Sequence, residues 1–282
     1  MPVVLNALTV DVEEWFHVCG VPALAPGNWD RLESRVELTT RLLLDLFDRA
    51  GARATFFVVG WVADRAPRLV VEIAAAGHQV GSHGYLHERA YDLGADGFRE
   101  DLRRSVAAIE AAGVRPACFR APEWSINDRS LWALEALAAE GFALDASMAP
   151  ARLVGSLAFP RTPHVRTTPA GAIVEVPPLV ADRFGQVMPL GWGWGLRMSA
   201  PGTVLAAIEQ ANQAGAPAVL TIHPWEIDPH PPRVPLPPRL RFAHYFRLGG
   251  FPDRLAAIVR GASFDRLDAV VASLPPGSLS PV

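Results

Sequence analysis

Lysine does not occur anywhere in the sequence. The 26 basic residues are therefore all arginine; with 29 acidic residues they give a net charge of -3. No basic field is available to hold nucleic acid, so a nucleic-acid partner is not expected. Cysteine is almost as scarce. Cys19 and Cys118 are the only two; they argue against a disulfide framework and fit a reducing compartment. Neither lies beside a matching base or ligand set, so both read as inert. No apolar run reaches the length of a membrane-spanning helix, about 20 residues. No basic region precedes the first apolar stretch, and acids follow it at once. That stretch reads as a structural strand rather than a secretion signal. A cytoplasmic protein is the expectation.

What the sequence does have is core-forming material: half its residues are hydrophobic and 20% are charged, a composition that excludes disorder. The chain length allows one large domain or two small ones. No repeat, low-complexity tract or linker divides it, so 1–282 is read as a single domain.

The first apolar stretch (Val3, Val4, Leu5, Ala7, Leu8, Val10) is rich in Val and Leu and predicts a buried strand. It runs directly into carboxylates. Side chains alternate faces with period two, so Asp11 and Glu13 project together and Glu14 projects the other way. Two acids on one face repel unless a cation or shared proton relieves them.

Further along, a helix to about Ala50 is expected, capped by Asp30 or Ser34 and ended by Gly51, with Leu42, Leu43, Leu46 and Phe47 on its apolar side. Strand 54–59 follows, then a helix to Ala76 with Pro67 in its first turn, and a short strand 78–81. Helix 96–112, strand 117–119, helix 128–140 capped by Asn127 and strand 142–144 come next. Residues 148–195 read as irregular loops with a few strands. Helix 200–214, strand 216–222, a proline-dense loop, and two closing helices over 255–260 and 265–274 complete the chain. This alternation implies an α/β fold with parallel strands and helices outside. Asp11, His83, Arg120, Asp145 and His223 each follow a different predicted strand, and in α/β barrels that rim holds the active site.

His83 and His87 are spaced i, i+4, which on a helical turn puts both imidazoles on one side, a common metal-ligand spacing. His17, His164 and His230 lie in loops and read as surface residues, and His78 reads as structural. His244, Trp192 and Trp194 are open between packing and lining a site; flat aromatic faces suit sugar rings.

Six stretches carry a resemblance: Thr-Val-Asp-Val-Glu (9–13), Ala-Thr-Phe-Phe-Val-Val-Gly (54–60), Gly-His-Gln-Val-Gly-Ser-His-Gly-Tyr-Leu-His (77–87), Phe-Arg-Ala-Pro-Glu-Trp (119–124), Asp-Ala-Ser (145–147) and Leu-Thr-Ile-His-Pro-Trp-Glu (220–226). In this order they resemble the polysaccharide deacetylases, the NodB-homology or carbohydrate esterase family 4 group. The tail from Ile222 to Asp228, with Ala-His-Tyr at 243–245, resembles a bacterial subgroup found beside exopolysaccharide and exosortase genes.

The resemblance implies a distorted (β/α) barrel and a divalent metal, zinc first and cobalt or nickel otherwise. The implied reaction removes acetyl groups from an N-acetylated sugar polymer or oligosaccharide. Asp11 matches the general base, Arg120 the arginine that pairs with it, His83 and His87 the metal histidines, and His223 the catalytic acid. Asp145 sits where the carboxylate orienting that acid is sought.

One position departs from the pattern: Val12 stands where the family usually has a metal-binding aspartate. Glu13, on the same strand face as Asp11, is the expected substitute, and some members resemble this spacing. Two other readings use the same scaffold. One is an allantoinase-like hydrolase of a non-sugar C–N bond, the other a silent carbohydrate-binding barrel.

Overall fold

A computed structural model describes residues 4–152, 154–183 and 185–282; Val3, assigned above to the first strand, lies outside them. In chain order the elements are β1 (Asn6–Val12), α1 (Val36–Ala50), β2 (Thr55–Val58), α2 (Gly60–Arg65), α3 (Pro67–Ala75), β3 (Gln79–Ser82), α4 (Ala90–Ala111), α5 (Trp132–Ala139) and β4 (Leu144–Asp145). Then come β5 (His164–Thr168), β6 (Gly171–Glu175), β7 (Ala181–Arg183), β8 (Gln186–Met188), α6 (Gly193–Met198), α7 (Pro201–Gln213) and β9 (Val219–Ile222). The chain closes with α8 (Pro238–Tyr245), α9 (Phe251–Gly261), β10 (Phe264–Asp265) and α10 (Leu267–Ser273). Among the described residues no helix is long and apolar enough to cross a membrane.

β1 is the hub. Every residue from Asn6 to Val12 is buried, as expected of a strand covered on both faces. It pairs in parallel with β2, β9 and β10, and β2 pairs in parallel with β3. Beyond β3 the ring continues by single bridges, from Ser82 to Phe119 and from Phe119 to Asp145. β4 then pairs with β6. The segment after β6 returns to β9, where the Leu179 N–H donates to the Val219 carbonyl at 3.0 Å. The expected distorted barrel is thus present, with full ladders around β1 and isolated bridges on the far side. Gly81 makes one of those bridges possible. A Cβ there would lie 2.8 Å from the Cys118 sulfur and 2.9 Å from its carbonyl oxygen.

Several boundaries differ from expectation, each for a local reason. α1 begins at Val36, and neither Asp30 nor Ser34 caps it. Residues 22–31 are taken up by two 3-10 turns, and Ser34 donates to Glu14 instead. Leu42 is 37% exposed, so the buried stripe of α1 is Val36, Thr39, Thr40, Leu43 and Phe47. The expected helix ending at Ala76 is two helices, broken where Pro67 opens α3. α4 starts earlier than predicted, with non-helical backbone at Gly94. α5 starts later, because Asn127 accepts from the Arg129 N–H in a turn of its own. The proline-dense loop leads into α8, with prolines at its first turn where the absent N–H costs nothing.

Candidate active site

β1 delivers Asp11 and then, one residue past its end, Glu13. The alternation holds: Glu13 turns toward His83 and His87, while Glu14 turns away and accepts hydrogen bonds from the Arg35 N–H and the Ser34 hydroxyl. One ligand atom each from Glu13, His83 and His87 lies within 4.8 Å of the others, and all three residues are buried.

His83 and His87 do not share a helical turn. Residues 83–89 form a loop that reverses at Gly84 (φ 69°) and His87 (φ 52°). Asp101 of α4 pins this loop by accepting from the Tyr85 and Leu86 N–H groups at 2.7 and 3.0 Å. Gly84 is needed there, since a Cβ would sit 2.8 Å from the Asp101 carboxylate. The His83 Nδ1–H donates to the Arg120 carbonyl at 2.8 Å, which leaves the Nε2 lone pair facing Glu13. Glu13 Oε1 accepts from the Trp225 indole N–H at 3.0 Å, and Oε2 lies 2.5 Å from His87 Nε2. Two imidazole nitrogens and one carboxylate oxygen, each steadied from behind, fit a divalent cation with open positions.

Burial alone would raise the Glu13 pKa. His87, His223 and His83 outweigh it and hold Glu13 far below the carboxylate range. Burial likewise disfavours a charged His87, but Glu13 reverses this and lifts it well above an ordinary histidine. His83 follows its burial and falls to about 4.

Arg120 is fully buried. Its NH1 donates to Asp11 Oδ1 at 2.7 Å and to the Thr9 hydroxyl at 2.8 Å, its Nε donates to the Ala146 carbonyl, and its plane lies over Phe57. His223 Nε2 lies 3.8 Å from Asp11 Oδ2. Behind His223 stands Glu226, not Asp145. Glu226 Oε2 accepts from the His223 backbone N–H at 2.9 Å and lies 3.0 Å from Nδ1. The expected pairing of Asp145 with His223 is therefore corrected. Asp145 is fully buried, accepts from the Ser147 hydroxyl and faces Glu175. A carboxylate three residues after its histidine, across a turn opened by Pro224, reaches the ring more directly than one from another strand. Burial would lower His223, but Glu13 and Glu226 dominate and lift it to about 9.

Around these groups lies a cavity of about 180 Å³ whose lining includes Trp124, Trp194, Arg197, Trp225, Leu240 and His244. Trp194 thus reaches the site, while Trp192 is buried against Trp124. His244 stacks on Trp225 at 4.1 Å, and burial lowers it to about 4. His17, expected at the surface, is 3% exposed, sandwiched between Trp29 and His87 in the cavity wall. His164 is also buried, away from this group, with its Nδ1 at the Thr162 carbonyl. Cys19 touches the His87 carbonyl at 3.1 Å, and burial raises its thiol pKa, consistent with an inert side chain.

Residues 29–142 match the polysaccharide deacetylase family, and residues 146–272 match a domain of unknown function, DUF3473. The chain is 32% identical over 98 residues to a peptidoglycan-N-acetylglucosamine deacetylase of Bacillus cereus, covering 34% of this chain and 36% of that protein. It is 33% identical over 107 residues to a peptidoglycan deacetylase of Helicobacter pylori, covering 38% and 36%. The chain therefore spans about a third of the length of these curated relatives. Among solved structures, a presumed polysaccharide deacetylase from Mycobacterium smegmatis superposes with a TM-score of 0.63 at 21% identity, covering 100% of this chain and 94% of the other. A family 4 pseudoenzyme from Bacillus anthracis superposes at 0.53 and 13%, covering 100% and 68%. At these identities the superpositions establish the fold alone.

Proposed function

We propose, from the match of residues 29–142 to the polysaccharide deacetylase family, a metal-dependent hydrolase that removes N-acetyl groups from an N-acetylhexosamine-containing polysaccharide or its precursor. One observation carries this reading. Glu13, His83 and His87 bring a metal-ligand set together beside Asp11 and His223, an acid–base pair on the same rim. That combination favours a hydrolase over a silent sugar-binding barrel.

The two family matches are read as parts of one catalytic unit. Asp11 and Glu13 precede the first match, His83, His87 and Arg120 lie inside it, and His223 and Glu226 fall in the second. All face or support one cavity.

An amide is a weak electrophile with a poor leaving group. Glu13, His83 and His87 would hold a divalent cation, zinc first, which when bound would supply Lewis acidity toward the acetyl carbonyl and the attacking water. Asp11 takes the proton from that water. Arg120 fixes the Asp11 carboxylate so that Oδ2, the oxygen not bonded to the guanidinium, faces the cavity. His223 gives a proton from Nε2 to the departing nitrogen while Glu226 holds Nδ1. Acid and base terms of this kind are worth ~10²–10⁴-fold each. Trp194, half-buried in the cavity wall, offers a flat face to a sugar ring, while Trp225 is stacked on His223 and His244.

The two free cysteines, one of them buried, support a reducing compartment such as the cytoplasm. A cytoplasmic enzyme would act on exopolysaccharide precursors rather than finished polymer.

The test is acetate release from N-acetylglucosamine oligomers by zinc-loaded protein, with chelated protein as control. Release that disappears on chelation and returns with zinc, cobalt or nickel supports the reading. Hydrolysis of allantoin in its place, or no release from any acetylated sugar, overturns it.

A further inference from the structure

We infer that Arg197 is a positioning residue for the proton donor. It holds Glu226 against His223 with one edge of its guanidinium and fixes a wall of the substrate cavity with the other. The inference rests on the deacetylase reading above.

Arg197 and Glu226 are 1% and 0% exposed. Arg197 Nε lies 2.8 Å from Glu226 Oε1 in a buried ion pair. Glu226 Oε2, the other oxygen, is the one that receives the His223 backbone and faces its Nδ1. A carboxylate with no solvent is stable as an anion only when its charge is met. Burial pushes Glu226 upward, but His223 and Arg197 overcome this and keep it below its ordinary value.

The other two guanidinium nitrogens point elsewhere. NH1 donates to the His244 carbonyl at 3.2 Å and the Phe246 carbonyl at 2.7 Å, and NH2 donates to the Ala243 carbonyl. These carbonyls belong to the C-terminal end of α8, where helical partners run out. Leu240, Ala243 and His244 of α8 line the cavity.

A buried arginine that only closed a helix end would need no carboxylate, and one that only neutralised Glu226 would need no helix. Arg197 does both with a rigid fork that lysine does not have. The two arms therefore separate in kinetics. The Glu226 arm acts on the proton donor and is read in kcat. The α8 arm acts on the cavity wall and is read in KM.

The experiment compares Glu226→Gln, Arg197→Met and Arg197→Lys in the full chain, zinc-loaded, on an N-acetylglucosamine oligomer. Glu226→Gln is expected to lower kcat by about 10²-fold, the low end for a general acid, with KM within about twofold. Arg197→Met is expected to lower kcat comparably and to raise KM as well. Arg197→Lys keeps a cation for Glu226 and gives up the fork. Its kcat is expected to recover relative to Arg197→Met while KM stays raised.

Metal-free protein gives a second readout. A His223 Nδ1–H resonance shifted downfield by Glu226 should be present in the wild type and in Arg197→Lys, and lost in Glu226→Gln and Arg197→Met. Should Arg197→Met fail to fold, Arg197→Lys and Glu226→Gln still carry both readouts. A folded Arg197→Met with unchanged kcat, KM and resonance overturns the inference, as does a Glu226→Gln that loses only thermal stability. A wild-type protein that releases no acetate overturns the deacetylase reading instead, and the resonance then decides the Arg197 inference alone.

Discussion

At Glu13 a single carboxylate faces Trp225, His87 and His83, with Asp11 projecting from the same strand face. The two acids should nonetheless fail differently. Asp11→Asn removes the proposed proton acceptor but leaves the three candidate ligands, so metal stoichiometry should hold while turnover falls by ~10²-fold or more. Glu13→Gln removes the only anionic ligand, so metal affinity should fall first and excess metal should recover part of the rate. Metal content and acetate release for both variants check this; loss of metal from Asp11→Asn would exchange the roles.

A second carboxyl pair, Asp145 with Glu175, is fully buried, and a shared proton is the expected relief of its repulsion. Burial raises both, and the Asp145 charge lifts Glu175 well above its ordinary 4.5. An acid whose folded pKa is raised binds its proton more tightly when folded. Its contribution to stability is fully present below about pH 4.5 and is lost as pH rises through the raised value. Glu175→Gln keeps the shape and never ionises. It should match the wild type near about pH 5 and exceed it near about pH 9 in urea unfolding, and parallel stabilities at both would refute the shared proton.

Among the elements, α1 shows how a residue discarded as a ligand serves the fold. Glu14 points away from the candidate metal site into the start of α1, where its carboxylate accepts the Arg35 N–H at 2.9 Å. α1 has no side-chain cap from its own N-cap residue, so this distant anion meets the positive end of the helix. Glu14→Gln, which strand alternation alone would call silent, should cost ~0.5–2 kcal/mol in urea unfolding, the range for losing a helix cap. Metal stoichiometry should not change. Metal loss at unchanged stability would place the ligand at Glu14 instead.

For the molecule as a whole, the candidate metal set joins two separate parts of the chain. Glu13 follows β1, and His83 and His87 follow β3, with β2 between them. A cation bound there favours only the state in which those strand ends are assembled. At one hundred times its dissociation constant it should stabilise the fold by ~2.7 kcal/mol. Differential scanning calorimetry with zinc and with chelator should show a higher Tm with zinc, lost again in Glu13→Gln. A Tm indifferent to zinc would mean that the three ligands do not act as one site.

The sequence by itself determined the α/β fold and the buried first strand, and with the family resemblance it picked out Asp11, Glu13, His83, His87, Arg120 and His223, along with Asp145, which the fold turns toward Glu175 instead. These residues lie at or just past strand ends, where period-two alternation and short strand-to-loop steps act over a few residues and leave a local signature. It did not determine what stands behind them. Glu226 was within reach, as a carboxylate three residues after His223. Arg197, His17 and the Asp145–Glu175 pair were not, because Arg197 meets Glu226, Asp145 meets Glu175 and His17 meets His87 only after the barrel has brought distant stretches of the chain together. The His83–His87 geometry failed for a related reason. Their spacing suits a helix, but Gly84 and Asp101 of a distant helix bend the segment into a loop that brings the same two nitrogens together another way. Local alternation aimed the side chains of the candidate site. Tertiary packing chose their partners, because a buried charge must find its counter-charge wherever the folded chain has placed one.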